Sequence, residues 1–285
     1  MRLGTRGSQL ALAQARLVAG HLVETAAAAE VEIVPITTSG DRGEQAEPIG
    51  KRRWVDTIED ALANGEIDLA VHSAKDVPGD HELAQGMSVG AVLARADARD
   101  VLVGASSLDA LATGARVGTA SLRRRAELLA MRPDLDIVEI RGNVPTRLAK
   151  LEAGEADALV LAAAGLDRLG LGDRVGAALD PSLFVPAPGQ GILAIEGRKL
   201  PDAALDAASG SALAAERAIS RALGANCESA LGCYDDGAAL HVFAGSPDGT
   251  AWIRDTVVAS DSAGRVRAAI ERLDLLGAKE LIAGG

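Results

Sequence analysis

The 285-residue sequence has few aromatic residues, few cysteines and no excess of positive charge. Aromatic side chains make up 2% of the residues, which leaves little to stack against bases and argues against a surface for single-stranded nucleic acid. The formal net charge of -11 would repel both nucleic acid and anionic membranes. We therefore expect neither nucleic acid nor a membrane as a partner.

Long apolar segments and cysteine motifs are also missing. No hydrophobic run reaches the roughly 18 residues that a membrane-spanning helix needs, and Arg16 interrupts the place where a signal peptide would continue its apolar core. The two cysteines, Cys227 and Cys233, are too few for a disulfide framework and form no C-x-x-C motif. The four histidines show no metal-ligand spacing. These features predict a soluble cytoplasmic protein without a bound metal.

The composition that is present is ordinary for a folded protein, with 48% hydrophobic and 24% charged residues. At roughly 150 residues per domain, the length predicts two or three domains. Short β-branched segments alternate with alanine-rich ones, which is typical of βαβ units with mainly parallel sheets and helices on both faces. The predicted strands are 31–37, 67–71, 101–103, 137–140 and 157–161, and the predicted helices are 9–29, 55–63, 122–131 and 145–152.

The last hundred residues have a different organisation. The segment 184–191, FVPAPGQG, is dense in proline and glycine and predicts a crossing between two lobes. A helix over 211–223 then leads into the loop GANCESALG. Two strands at 240–244 and 251–259 and a helix at 264–276 predict a small separate α/β domain.

Cationic side chains lie at turns where helices begin, although the helix macrodipole disfavours positive charge there. They are Arg6 ahead of the first helix, Lys75 in HSAKDVP, Arg123 and Arg124 after GTASL, and Arg141 and Arg147 around RGN. A single case is ordinary for a solvated side chain, but four such turns would line the edge where open parallel sheets bind ligands. Because guanidinium groups and helix N-termini bind anions, the pattern predicts a cleft for a large polyanionic ligand.

Two further residues stand out against their surroundings. Asp76 is a carboxylate in a turn otherwise rich in cations. It is either a local ion pair or helix cap, or a carboxylate kept ionised to stabilise a cation that develops during a reaction. Cys227 lies in a loop between Asn226 and Glu228 and lacks the apolar neighbours of a structural cysteine. Cys233, in LGCY, has the pattern of a structural one.

Six segments resemble, in order, the motifs of the porphobilinogen deaminase family, also called hydroxymethylbilane synthases. They are GTRGSQLALAQA (4–15), NGEIDLAVHSAKDVP (64–78), VGTASLRRRAEL (117–128), RGNVPTRLAKLEAGEADALVLAAAGLDRLGL (141–171), PAPGQGILAIE (186–196) and LAAERAISRALGANC (213–227). A short motif such as GTR or RGN occurs in many unrelated proteins, whereas the six segments in this order are specific for the family. The resemblance implies an α/β fold of two doubly wound lobes like type II periplasmic binding proteins, followed by a small C-terminal α/β domain. The implied domains are 1–91 with 186–208, then 92–185, then 209–285.

The resemblance also implies an enzyme, a transferase of haem and porphyrin biosynthesis. It would condense four porphobilinogen molecules head to tail, lose ammonia at each step and release the linear tetrapyrrole hydroxymethylbilane. The family carries a dipyrromethane cofactor, and the matching position assigns its thioether bond to Cys227. The catalytic aspartate of the family falls on Asp76. The resemblance further implies a monomer whose partners are the small-molecule substrate and the polypyrrole product.

The other implied site residues are those expected to bind carboxylates. The cofactor-binding residues are Lys75, Thr119, Ser121, Arg123 and Arg124, and the substrate-binding residues are Arg6, Ser8, Lys51, Arg141, Arg147, Arg168 and Gln190. Each pyrrole carries an acetate and a propionate, which accounts for cations on several turns. Pro145 stands where the family usually has Asn, and it suits the first turn of a helix. Trp54 stands where the family usually has Phe.

Two other classes of protein stay open on the residues alone. A binding module with two such lobes would hold an organic anion without chemistry, which explains the arginines but gives Asp76 and Cys227 no role. A phosphate-transfer enzyme is the third possibility, although the sequence contains no G-x-x-x-x-G-K-[ST] loop. Ehrlich's reagent separates the first two classes, because it colours a protein that carries a dipyrromethane.

Overall fold

A computed structural model describes residues 1–38, 56–77, 86–226 and 229–283. The predicted site residues Lys51 and Cys227, and also Trp54, lie outside these described residues. None of the helices in the described ranges combines the length and the apolar character that crossing a membrane requires.

Strands and helices alternate along most of the described chain. The strands are β1 (Arg2–Arg6), β2 (Glu32–Ile36), β3 (Leu69–Ser73), β4 (Ser88–Val92), β5 (Asp100–Val103), β6 (Arg116–Gly118), β7 (Asp136–Val138), β8 (Ala158–Ala162), β9 (Ala177–Ala178), β10 (Leu193–Gly197), β11 (Leu231–Asp235), β12 (Ala239–Gly245) and β13 (Trp252–Val258). The helices are α1 (Gln9–Glu24), α2 (Asp56–Ala63), α3 (Leu122–Met131), α4 (Val144–Glu152), α5 (Ala163–Arg168), α6 (Ala207–Leu223), α7 (Ser262–Leu275) and α8 (Ala278–Ala283). A 3₁₀ turn, Ala74–Asp76, follows β3 directly.

Two five-stranded sheets share one arrangement. The first has the strand order β2-β1-β3-β10-β4, and the second has the order β7-β6-β8-β5-β9. In each sheet three strands pair in parallel, and a strand next to a crossing, β10 or β5, pairs antiparallel with both neighbours. The predicted fold class of two doubly wound α/β lobes and a small C-terminal α/β unit is confirmed.

The expectation of mainly parallel sheets is wrong in its detail. Half of the strand pairings in each five-stranded sheet are antiparallel. The chain leaves the first sheet after β4, enters the second sheet with β5 and returns to the first sheet with β10. Each of these two entering strands, β5 and β10, runs antiparallel to both of its neighbours. Hydrophobic periodicity reports which face of a strand is buried but not its direction.

The C-terminal sheet is antiparallel throughout, in the order β11-β12-β13. Helices α6 and α7 pack against it around Ile219, Val242 and Leu273. Cys233 is fully buried in the same core, as its pattern predicts, and burial raises the pKa of its thiol well above the usual value.

The chain crosses from the first lobe to the second between β4 and β5 (residues 93–99) and returns between β9 and β10 (residues 179–192). This second crossing also touches the C-terminal sheet. The Cys233 N–H of β11 donates a hydrogen bond to the carbonyl of Pro186 at 2.8 Å. A Cβ atom at Gly232 would lie 2.6 Å from the Val185 carbonyl oxygen, so this approach requires glycine. The crossing segment is therefore held between the two lobes and the C-terminal sheet.

Candidate active site

A cavity of about 300 Å³ lies where the turn after β3, the start of α3, the second crossing and the end of α6 meet. Among the described residues, the charged members of its lining are Lys75, Asp76, Arg123, Arg124, Arg147 and Arg217. Five of these carry positive charge and one carries negative charge. The lining therefore suits a ligand with several carboxylates or phosphates.

Helix caps place the cations at this cavity. The Ser121 hydroxyl accepts a hydrogen bond from the Arg124 N–H at 3.4 Å, which starts α3 so that Arg123 and Arg124 fall in its first turn. Asn143 caps α4 in the same way and Pro145 follows within the first turn, as predicted. The Ser8 hydroxyl accepts a hydrogen bond from the Ala11 N–H at 3.2 Å and caps α1.

Thr119 and Ser121 are joined to each other, because the Thr119 hydroxyl oxygen accepts a hydrogen bond from the Ser121 N–H at 3.2 Å. Thr119 is buried, and Ser121 lines the cavity. Both hydroxyls thus help to shape the entry to α3, and their contact with a ligand stays a prediction.

Asp100 is a fully buried carboxylate behind the two arginines of α3. Its Oδ2 atom accepts from Arg123 Nη2 at 2.7 Å, and its Oδ1 atom accepts from Arg124 Nη2 at 2.7 Å and Gln190 Nε2 at 3.0 Å. Burial alone would raise the pKa of Asp100, but the guanidinium groups of Arg123 and Arg124 lower this pKa to about 2. The carboxylate is therefore ionised, and the protein itself balances part of the arginine charge.

Glu127 is a second buried carboxylate on the same helix. It accepts hydrogen bonds from Arg123 Nη1 at 2.7 Å and from the Val185 N–H at 2.5 Å. Burial raises the pKa of Glu127 to about 8, although Arg123 acts against this rise. The sequence analysis predicts that Arg123 binds the cofactor. In the structure, most of its N–H groups donate to acceptors within the protein, namely Asp100, Glu127 and the Val185 carbonyl. Its Nε atom is buried without a hydrogen-bond partner among the described residues.

Gln190 connects the two lobes at the back of the cavity. This fully buried residue accepts from Lys75 Nζ at 3.2 Å and donates from Nε2 to the Ala98 carbonyl at 2.7 Å and to Asp100. Lys75 belongs to the turn that carries Asp76, whereas Asp100 begins β5. The amide of Gln190 therefore links the cations of the first lobe to those of the second.

Glu216 on α6 connects both crossings to the C-terminal sheet. Its carboxylate accepts from Arg95 Nη1 at 2.5 Å, from the Gly189 N–H at 2.6 Å and from the Asp235 N–H at 2.9 Å. Complete burial raises the pKa of Glu216, against the effect of Arg95. The sequence analysis missed this cluster, because its members are far apart in the chain and form no local pattern.

Arg217, beside Glu216, is another cavity residue that the sequence analysis missed. Its Nη1 atom donates to the Val77 carbonyl at 3.3 Å. This bond joins α6 to the residue that follows Asp76. The segment LAAERAISRALGANC contains Arg217, but a charge inside a helix gives no reason to expect it at a cavity.

Asp76 borders two cavities. Besides the main one, it lines a smaller cavity of about 70 Å³ together with Arg6, Ser8 and His72. The structure thus brings two of the predicted substrate-binding residues, Arg6 and Ser8, to the predicted catalytic carboxylate.

The remaining predicted arginines differ in position. Arg147 lines the main cavity. Burial is the main cause that lowers its pKa to about 10, and repulsion from Arg124 adds to it, so Arg147 is protonated at neutral pH. The side chain of Arg141 is 73% exposed and pairs with Glu139. Arg168 donates to the Gly191 carbonyl at 2.7 Å, and burial lowers its pKa to about 10. Neither Arg141 nor Arg168 lines the main cavity as the described residues form it.

The residues that flank Cys227 lie at the cavity. Ala225, Asn226 and Ser229 are part of its lining. The Ser229 N–H donates to the Asn226 carbonyl at 3.2 Å, and the Asn226 N–H donates to the Ser229 hydroxyl at 3.1 Å. The described residues on either side of Cys227 are therefore held at the wall of the cavity.

We expect Gly189→Ala to disturb the Asp76 turn from the crossing segment. Gly189 has a φ of +76°, and a Cβ there would lie 3.0 Å from the Ala74 carbonyl carbon and from the Lys75 nitrogen. The strain should cost about 1–3 kcal/mol of unfolding free energy, and displacing the turn should slow any reaction at Asp76 by about tenfold or more. Chemical denaturation measures the loss of stability, and steady-state kinetics measures the loss of turnover.

Gly210→Ala is the control, because Gly210 lies in α6 with open space around it. This variant should lower neither the unfolding free energy nor the turnover. Unchanged turnover in Gly189→Ala would contradict the tight contact.

Together, the fold and the cavity define a two-lobed α/β protein with a cleft whose described lining holds five cations and one carboxylate. A family model described as "Porphobilinogen deaminase, dipyromethane cofactor binding domain" matches residues 1–206. The chain belongs to the porphobilinogen deaminase family, as the sequence motifs predict.

Curated relatives match over nearly the full length. The chain is 45% identical to a porphobilinogen deaminase of Thermus thermophilus, over 98% of this chain and 91% of that protein. It is 44% identical to one of Caulobacter sp., over 94% of this chain and 92% of that protein. Among solved structures, the methionine-binding protein MetQ is similar at a TM-score of 0.42 and 16% identity, over 70% of this chain and 83% of that one.

Proposed function

We propose that this chain is a porphobilinogen deaminase, a transferase that condenses four porphobilinogen molecules into hydroxymethylbilane in tetrapyrrole biosynthesis. The observation that carries the proposal is the cavity whose described lining combines five cations with Asp76, in a chain of this family. A pure binding site for an organic anion gains nothing from a carboxylate beside the ligand's own acids, because like charges repel. A reaction that passes through a cation does gain from it.

The chemistry that we propose for Asp76 follows from the substrate. Loss of ammonia from the aminomethyl group of porphobilinogen leaves an azafulvenium cation, which a carboxylate stabilises. A free pyrrole α-carbon attacks this cation, forms the new carbon–carbon bond and then loses its proton, whose bonding electrons restore the aromatic ring. Asp76 lines both the main cavity and the smaller one with Arg6 and Ser8. In this position its carboxylate can accept a hydrogen bond from the pyrrole N–H.

The lining residues fit the dipyrromethane cofactor of the family. Its carboxylates need several donors, and the cavity lining includes Lys75, Arg124 and Arg147. When bound, the cofactor supplies the free α-carbon from which the pyrrole chain grows. We propose that Cys227 holds it by a thioether bond, supported by flanking residues that line the cavity.

We retain the other residue roles as part of this proposal. Cofactor binding falls to Lys75, Thr119, Ser121, Arg123 and Arg124, and substrate binding to Arg6, Ser8, Lys51, Arg141, Arg147, Arg168 and Gln190. Arg141 would then act in primer assembly or early condensation. Arg168, which donates to the Gly191 carbonyl beside Gln190, would act mainly in later elongation. The proposed domains are 1–91 with 186–208, 92–185 and 209–285, and we propose a cytoplasmic monomer.

The proposed activity predicts two results with the purified protein. It should release one ammonia for each porphobilinogen consumed, because every condensation expels one amino group. The protein itself should give the colour of a dipyrromethane with Ehrlich's reagent after denaturation and washing. Binding of porphobilinogen without ammonia release, by a protein that stays colourless, would instead favour the binding module.

A further inference from the structure

Asp100 is the point at which three separate parts of the chain converge. Its donors are Arg123 and Arg124 of α3 and Gln190 of the second crossing, at 2.7 to 3.0 Å, and the residue itself is fully buried. Asp100 is the first residue of β5, immediately after the first crossing. A single group at the end of the first crossing thus contacts both an element of the second lobe and the second crossing.

The two guanidinium groups lie side by side because they share this carboxylate. Like charges at such a separation repel each other, and the shared negative charge offsets the repulsion. Arg124 binds Oδ1 through Nε and Nη2, while Arg123 binds Oδ2 through Nη2. Each arginine therefore has its own oxygen atom, and the carboxylate plane sets the spacing between them.

The same carboxylate is linked to the turn that carries Asp76. Gln190 donates to Asp100 through Nε2 and accepts from Lys75 through Oε1, at 3.0 and 3.2 Å. Because the amide group of Gln190 is rigid and fully buried, it transmits the position of Asp100 to Lys75. Lys75 is the neighbour of Asp76 in the 3₁₀ turn.

We propose that Asp100 is a positioning residue that fixes Arg123 and Arg124 relative to the Lys75–Asp76 turn, so that they receive the carboxylates of a pyrrole chain. This inference rests on the proposed function for the identity of the ligand. Asp100 is buried behind the arginines, and it acts on a ligand through them.

Replacing Asp100 with Asn tests positioning and charge against each other. Asn has the same shape but only one acceptor oxygen, and its NH₂ group carries only donors. In either orientation this NH₂ group faces a guanidinium donor, so the arginine pair must separate. The loss of one negative charge would by itself make the cavity bind anions more tightly. Positioning and simple neutralisation therefore predict opposite changes in affinity.

The binding experiment uses citrate, a tricarboxylate, and calorimetry on Cys227→Ser protein, in which no thioether can form. We expect Asp100→Asn to weaken citrate binding by about fivefold or more, the effect of a misplaced charge-assisted hydrogen bond. The matched control is Asp235→Asn, which removes a buried carboxylate that pairs with Arg265 at 3.0 Å in the C-terminal unit. It should leave citrate binding unchanged. Equal or tighter binding by Asp100→Asn would overturn the proposal.

A turnover measurement is the second test of the role of Asp100. In chains that keep Cys227, Asp100→Asn should lower kcat/KM for porphobilinogen by about 10- to 100-fold per cofactor-loaded molecule, since small misplacements are costly. Asp100→Glu should recover part of the lost kcat/KM. Asp235→Asn should lose thermal stability to a similar extent as Asp100→Asn, but its kcat/KM should be unchanged. An equal loss in Asp235→Asn would reduce Asp100 to a structural role. If the wild-type chain releases no ammonia, the proposed function fails, and citrate binding still decides the role of Asp100.

Discussion

Asp76→Asn should lower the rate of hydroxymethylbilane formation by about 10²- to 10⁴-fold, the combined range for general acid–base and charge-stabilising groups. The substitution keeps the shape of the side chain and removes its charge, so the azafulvenium cation loses its counter-charge. The five cations of the main cavity remain, and we expect the attached cofactor to be retained in at least part of the protein. Ammonia release per porphobilinogen consumed measures the rate, with the cofactor quantified in parallel.

Two further variants make this expectation specific. Asp76→Glu keeps the charge and moves it by one methylene, so some activity should remain. Asp68→Asn is the matched control, because Asp68 pairs with Arg2 at the opposite end of the first sheet and its loss should leave turnover unchanged. Near-normal turnover in Asp76→Asn would leave Asp76 as a structural partner of its basic neighbours.

Cys227→Ser should abolish the attached cofactor completely and with it the formation of product. A serine hydroxyl is a far weaker nucleophile than a thiol at neutral pH, so no stable bond to a pyrrole should form. Intact-mass spectrometry should find the variant lighter than the wild-type chain by two pyrrole units, after allowance for the substitution. The Ehrlich reaction of the washed protein should be lost at the same time.

The control for the second thiol is Cys233→Ala. Cys233 is fully buried in the C-terminal core, and burial raises its pKa well above the usual value, which makes it unreactive. This variant should lose some stability and keep the added mass. An unchanged mass after Cys227→Ser would show that the cofactor is attached elsewhere.

Local chemistry in the sequence determined much of the fold. Helix α3 begins and ends at the predicted residues because Ser121 caps it and Pro133 lies just beyond its end. Helix α4 starts one residue before the predicted 145, because Asn143 caps it. Six strands were missed: β1, β4, β6, β9, β10 and β11. β9 has only two residues, and each of the other five contains a glycine, which weakens the strand pattern. The antiparallel entry of β10 was also missed, since strand direction depends on where the chain returns from the other lobe.

The cations of the site were visible in the sequence because they break a local rule, positive charge in the first turn of a helix. The carboxylates that hold these cations were not visible. Asp100 is 23 residues from Arg123 and 90 residues from Gln190 in the chain, and Glu127 reaches Val185 over 58 residues. A buried charge is stable only beside a partner, and such partners are supplied by whichever segments the fold brings together. The sequence therefore determined which groups could bind an anionic ligand, and the tertiary structure alone decided which carboxylates orient them.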